Sequence, residues 1–198
     1  MGKLEDIFEI VDEEDRVIGR APRSRCHGDP SLVHRVAHVL VFNRSGSLLL
    51  QKRSLTKDVQ PGRWDTSVGG HLDPGESYLQ AARREMTEEL GIEGVALTFL
   101  YYSKVRNDFE SENVATYLAL FEGPIRHAAS EIDEVRFWSA DEIAADLGTG
   151  MFTPNFEQEW AMFLEWSQRY PARKGSGLGL CAGERFPDLF RELGEADE

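Results

Sequence analysis

Three glutamates, Glu85, Glu88 and Glu89, stand at i, i+3 and i+4, the spacing that brings side chains together on one face of a helix. Carboxylates so clustered repel one another and disfavour the helix unless cations neutralise them. Oxygen-only donors suit hard divalent ions, Mg2+ or Mn2+, which keep bound water and bridge to phosphate oxygens. The chemistry within reach is therefore metal-assisted attack of water at a phosphorus or an adjacent carbon, with a glutamate not consumed as a ligand taking the proton. On the same helical wheel Leu79, Ala82, Met86 and Leu90 form an apolar stripe on a different face. Glycines frame the segment: Gly70 and Gly75 are expected to let the preceding loop turn sharply, and Gly91 to cap the carboxyl end.

The whole stretch from Gly70 to Ile92, with Glu76, Arg84-Glu85, Met86, Glu88-Glu89 and Gly91 at fixed offsets, resembles the Nudix box. The resemblance implies an α/β/α sandwich around a mixed β-sheet, metal ligation or base function for Glu85, Glu88 and Glu89, and orientation of an acidic residue by Arg84. Glu76 is that acid and is also in the candidate ligand set. A second set of residues resembles the isopentenyl-diphosphate isomerase branch of the same superfamily: Leu32-Val33-His34-Arg35, Leu48 to Ser54, Lys57, Pro61 to Trp64 and Gly70-His71. By that resemblance His27, His34, His71, Glu110 and Glu112 would hold a second divalent metal, Mn, Fe or Zn, and Arg23, Arg53 and Lys57 would grip the diphosphate. One departure matters. The isomerase carries its catalytic cysteine two residues before the histidine matched by His71, and here that position is Gly69. Glycine can neither donate nor accept the proton that allylic isomerisation needs. The complete box and the absent thiol favour hydrolysis of a nucleoside-diphosphate derivative or other organic diphosphate. An isomerase-like enzyme and a nucleotide-binding module without catalysis are the alternatives. Cys26 is the nearest thiol in sequence, and His38 and His127 fit neither pattern.

The elements that must position these groups are legible from periodicity and punctuation. Ile7 to Val11 and Arg16 to Gly19 flank the acidic turn Asp12 to Asp15 and read as a hairpin. Val33 to Phe42 and Leu48 to Gln51 read as core strands joined by the turn Asn43-Arg44-Ser45-Gly46. Trp64 to Val68 reads as a short strand ending at Gly69-Gly70. After the carboxylate helix, Val95 to Lys104, Val114 to Phe121 and Glu134 to Trp138 read as strands, and Ser139 opens a short helix. Thr153 as N-cap with Pro154 at the first helical position announces a last helix, with Phe156, Trp160, Phe163 and Leu164 as its core stripe. Tyr101, Tyr102 and Phe109 are assigned to the core rather than to stacking on a base.

Residues 1–170 are thus expected to form one domain. Residues 171–198, linker-like and then amphipathic around Phe186, Leu189, Phe190 and Leu193, are expected to form a tail that docks on the domain or supports a homodimer. With 22 basic against 35 acidic residues the formal charge is −13, which argues against a general nucleic-acid binder or a membrane-surface protein and requires local cations for any diphosphate. No apolar run matches a membrane span, the amino terminus lacks a signal core, and two distant cysteines suggest neither disulfide nor zinc ribbon, so a cytoplasmic protein is expected.

Overall fold

The computed structural model describes residues 5–57 and 59–169. The expected tail at 171–198 lies outside the described residues. A hairpin of β1 (Ile7–Val11) and β2 (Val17–Pro22) forms its own two-stranded sheet and leads into a single helical turn, α1 (Arg23–Cys26). Seven strands follow in one mixed sheet: β3 (Val33–Phe42), β4 (Leu48–Arg53), β5 (Trp64–Asp65), β6 (Val68–His71), β7 (Thr98–Arg106), β8 (Ser111–Leu120) and β9 (Ile132–Trp138). Helix α2 (Tyr78–Leu90) interrupts them after β6, and α3 (Ala140–Asp146) and α4 (Pro154–Arg169) close the described chain.

The central pair is β3 and β8, parallel over ten residue pairs from Val33↔Ser111 to Phe42↔Leu120. Side chains alternate between the two faces of such a pair. Ala37, Val39, Val41, Ala115, Tyr117 and Ala119 therefore point to one face and pack with Ala81, Ala82, Met86 and Leu90 of α2. Leu40, Phe42 and Leu118 point to the other and pack with Phe156, Trp160 and Phe163 of α4. The sheet is thus sandwiched between helices, as the resemblance implies. Fully burying side chains such as Met86, Leu90 and Phe163 is worth about 1.5–3 kcal/mol each.

Several local expectations are revised. The β3–β4 connection does turn at Asn43 to Gly46, but the two strands share only the pair Phe42↔Leu48. From Val36 to Val39 the edge of β3 is taken instead by β6, in antiparallel register, and β4 pairs with β9. The stretch Trp64 to Val68 is consequently not one strand: β5 joins β4, and β6 joins β3. Strand β8 starts at Ser111, three residues earlier than expected, which puts Glu112 in the sheet opposite His34. Tyr102 and Phe109 are not core residues, at 67% and 45% exposed; only Tyr101, half-buried, packs against the α4 cluster. Among the described residues no helix is long and apolar enough to cross a membrane.

Candidate active site on the two faces of a glycine strand

The Gly70 to Ile92 segment is helical only from Tyr78 to Leu90. Ser77 caps the helix, accepting from the Gln80 N–H while the Gln80 side chain accepts from the Ser77 N–H, the reciprocal capping box. Gly91 ends it in the left-handed region, φ 65°, which only glycine enters freely. Gly75 also has positive φ, as the turn requires, but Gly70 does not. Gly70 lies in β6 opposite Ala37, and its reason is space: a Cβ built on it would fall inside the Glu85 carboxyl group, far closer than real Cβ contacts occur.

Arg84 organises the acids. It donates to both oxygens of Glu76 (3.0 and 2.9 Å), to Glu85 Oε1 (2.8 Å), to Glu88 Oε2 (3.2 Å) and to the His71 carbonyl (2.9 Å). Of the two roles expected for Glu76, the geometry displays the pairing with Arg84; both its oxygens are engaged, one also by the Asp73 N–H. Glu88 is exposed, its side chain 59% accessible. Glu85 is half-buried, and burial, opposed by Arg84, raises its pKa. Glu89 is enclosed more deeply. Burial and then the neighbouring Glu85 charge push it up to about 8, although Gln51 Nε2 (3.0 Å) and the Gly69 N–H bond to it.

Across β6 lies the second group. Strand alternation sends Gly70 toward α2 and sends Gly69 and His71 to the opposite face. There His27, His34, His71 and Glu112 each offer a donor atom within 4.8 Å of the others, and Glu110 Oε2 lies 3.7 Å from His27 Nε2. His34 Nδ1 donates to the Leu32 carbonyl (3.3 Å), and the other ring nitrogen, Nε2, is turned toward Glu112. That atom is fully buried, has no hydrogen-bond partner among the described residues, and stands 3.5 Å from Glu112 Oε1. A buried ring nitrogen beside a carboxylate, with its ring fixed through the other nitrogen, is suited to ligate a metal. Burial, then the Arg23 charge, pushes His27 down to about 4, and burial pushes His71 down to about 4 against the pull of Glu112, so both imidazoles are neutral near pH 7. Burial, then the Glu112 charge, raises Glu110 to about 7. The set fits a borderline divalent ion.

The N-terminal hairpin walls this group. Glu9 anchors β1 to β3 through Arg35 (2.6 Å), and Phe8 stacks on His71 at 4.2 Å and 7° and on His34 at 5.2 Å. Sequence reasoning did not single out Phe8, Gln51 or Glu131; each acts through a partner distant in the chain, and no local pattern marks it. The three expected diphosphate-gripping cations are engaged separately. Arg23 lies 3.1 Å from His71 Nδ1, Arg53 bonds Asp65 and the Val59 carbonyl (both 3.0 Å), and Lys57 pairs with Glu131 (2.7 Å), whose charge bears on Glu85 and Glu89. Cys26 is fully buried among Phe8, Ile10 and Ala21, and burial raises its thiol pKa, so it supplies nothing at Gly69.

A three-layer fold, acids on α2 and an Arg84 clamp define a Nudix-type enzyme. The NUDIX domain family matches residues 32–156, and the chain belongs to the Nudix hydrolases. It is 33% identical over 163 residues to an uncharacterised Nudix hydrolase of Pseudomonas aeruginosa, covering 81% of this chain and 94% of that one. It is 35% identical over 144 residues to an isopentenyl-diphosphate Δ-isomerase of Streptomyces avermitilis, covering 70% and 73%. The fold matches the crystal structure of DR0079 from Deinococcus radiodurans, with a TM-score of 0.70 at 23% identity over 79% of this chain and 98% of the other.

Proposed function

We propose that the chain hydrolyses the diphosphate linkage of a nucleoside-diphosphate derivative or another organic diphosphate, with Mg2+ or Mn2+ held on the Glu85, Glu88 and Glu89 edge of α2 and the acid left unligated serving as base. The observation that carries this reading is the acid edge of α2, fitted against the side-chain-free Gly70 and tied together by Arg84. A bound divalent ion would acidify water and screen the diphosphate charge. The protein's own part is positional. Arg84 fixes Glu85 and Glu88, Glu76 fixes Arg84, and Gln51 holds Glu89. Glu89, which burial and Glu85 keep near neutral in proton affinity, is the group suited to take the proton from the attacking water. Lys57, Arg53 and Arg23 are the cations available to the substrate's phosphates once they leave their present partners. Incubation with a panel of diphosphates and Mg2+ is expected to release phosphorylated products identifiable by mass spectrometry, and Glu88→Gln or Glu89→Gln to abolish release. Turnover that survives both substitutions would refute the reading.

The His27, His34, His71, Glu110 and Glu112 group supports a second bound divalent ion, and with it an isomerase-like alternative. Hydrolysis is preferred because the position beside His71 that would carry a proton-transferring thiol is Gly69, and Cys26 is buried elsewhere. Exchange of isopentenyl-diphosphate protons with solvent, in the presence of Mn2+ or Mg2+, would reverse the order of the two readings.

A further inference from the structure

His38 belongs to neither metal group. It lies on β3, on the same face as His34 but four residues along, about 13 Å away at the rise of a strand. Its Nδ1 is 3.0 Å from Glu159 Oε1 of α4, and Thr116 Oγ1 donates to the same oxygen at 3.0 Å. Glu159 is 2% exposed, and its Oε2 and the neighbouring Thr66 Oγ1 are both buried. A buried ion pair of this kind adds little to stability compared with apolar side chains of similar volume.

The ring is not sealed. Its side chain keeps 14% of its accessibility, and Nδ1 alone is engaged by Glu159, so Nε2 is the free polar edge. That edge faces Gly69, directly opposite on β6: a Cβ there would meet His38 Cδ2 at 3.3 Å and Nε2 at 3.4 Å. The Gly69 N–H in turn bonds to Glu89, so a single residue separates the His38 edge from the acids of α2. His38 and the α2 acids thus stand on opposite faces of β6, with no side chain at Gly69 between them. Burial alone would lower the His38 pKa, but the Glu159 carboxylate overrides it and pushes the ring up to about 9. Both ring nitrogens then carry protons near pH 7.

We propose that His38, oriented by Glu159 and Thr116 and exposed over Gly69, is a specificity-determining residue whose Nε2–H binds an oxygen acceptor on the organic group of the diphosphate substrate. The chain accordingly discriminates against purely hydrocarbon diphosphates. The inference rests on the diphosphate reading of the α2 site, and adds to it the chemistry of the substrate's other end. A site built to donate a hydrogen bond rejects a ligand that leaves the donor unpaired.

The test is calorimetric binding, with Mg2+, of short alkyl diphosphates matched in length and carrying or lacking one carbonyl oxygen. The wild-type chain is expected to prefer an oxygenated member by about tenfold or more, the effect of one hydrogen bond to a charged group. His38→Leu strands the Glu159 carboxylate and risks misfolding, so the deciding variant is His38→Leu with Glu159→Met and Thr116→Val, which removes the polar set as a unit. That variant is expected to melt cooperatively, to bind the hydrocarbon ligand as well as the wild type does, and to lose the preference. No preference in the wild type, no binding of either ligand, or a preference that persists in the triple variant overturns the proposal. Selective binding by a wild-type chain that releases no product from the diphosphate panel would instead refute the hydrolysis reading and leave this one standing.

Discussion

Replacing Gly70 by alanine is a sharp test of how the acids are positioned. A Cβ at this point of β6 overlaps the Glu85 carboxyl, so the carboxyl must retreat by at least about 1 Å to reach even the closest contacts that real Cβ atoms make. Glu85 is the flexible end of a half-buried side chain, so the stability cost falls at the low end of overpacking, about 1 kcal/mol. The functional cost is larger. Retreat breaks the 2.8 Å bond from Arg84 Nη1 and moves one of three candidate ligands, and misplacement of that size costs about 100-fold in rate. Steady-state kcat/KM on whichever diphosphate the panel identifies, alongside thermal unfolding of the same sample, separates the two costs. Gly19→Ala, where an added Cβ meets nothing within 4 Å, should alter neither. Adding Glu85→Asp to Gly70→Ala shortens the acid by one methylene and should recover the lost thermal stability without recovering activity, the non-additivity expected of neighbours. Wild-type kcat/KM in a folded Gly70→Ala protein would show that Glu85 does not occupy its described place during catalysis.

Three further outcomes follow from the same geometry. In chelator, the raised pKa of Glu89 means that the folded chain binds its proton more tightly than the unfolded chain. Its contribution is therefore fully present below the ordinary carboxylate range and lost as pH rises through about 8, and urea titrations at successive pH values should show an alkaline loss that Glu89→Gln reduces. Protein loaded with Mn2+ or Zn2+ and then gel-filtered should retain metal by elemental analysis, and His34→Ala should lower retention at the His/Glu group; equal retention would remove His34 from the ligand set. Ser77→Ala, by breaking the capping box of α2, should cost about 1 kcal/mol in denaturant unfolding, and an unchanged midpoint would contradict the cap.

The acid helix was legible in the sequence because a helix is a local object. The i, i+3, i+4 spacing of Glu85, Glu88 and Glu89, the apolar stripe, the Gly75 turn and the Gly91 end all depend on contacts within a few residues, and the structure keeps each of them, whereas the turn expected at Gly70 is a strand position. The His and Glu residues that cluster were also named in advance, but through resemblance. Nothing in their spacing shows that His27, at the end of α1, meets His71, at the end of β6.

Tertiary structure alone decided the rest. Adjacent strand residues face opposite ways, so only the pairing of β6 with β3 reveals that Gly69 and Gly70 serve different faces, the one toward His38 and the other toward Glu85. No single-strand pattern could supply that, because β4, the chain neighbour expected to pair along β3, meets it only at Phe42↔Leu48, and β6 takes the edge of β3 from Val36 to Val39. The same holds for His38. Alone in the sequence it fits no pattern; it gains a role from Glu159, 121 residues away, which α4 carries onto the face of the sheet. Local spacing determined which acids could share a helix edge, whereas strand register and helix docking, set by burial of two apolar faces, decided what stands against them.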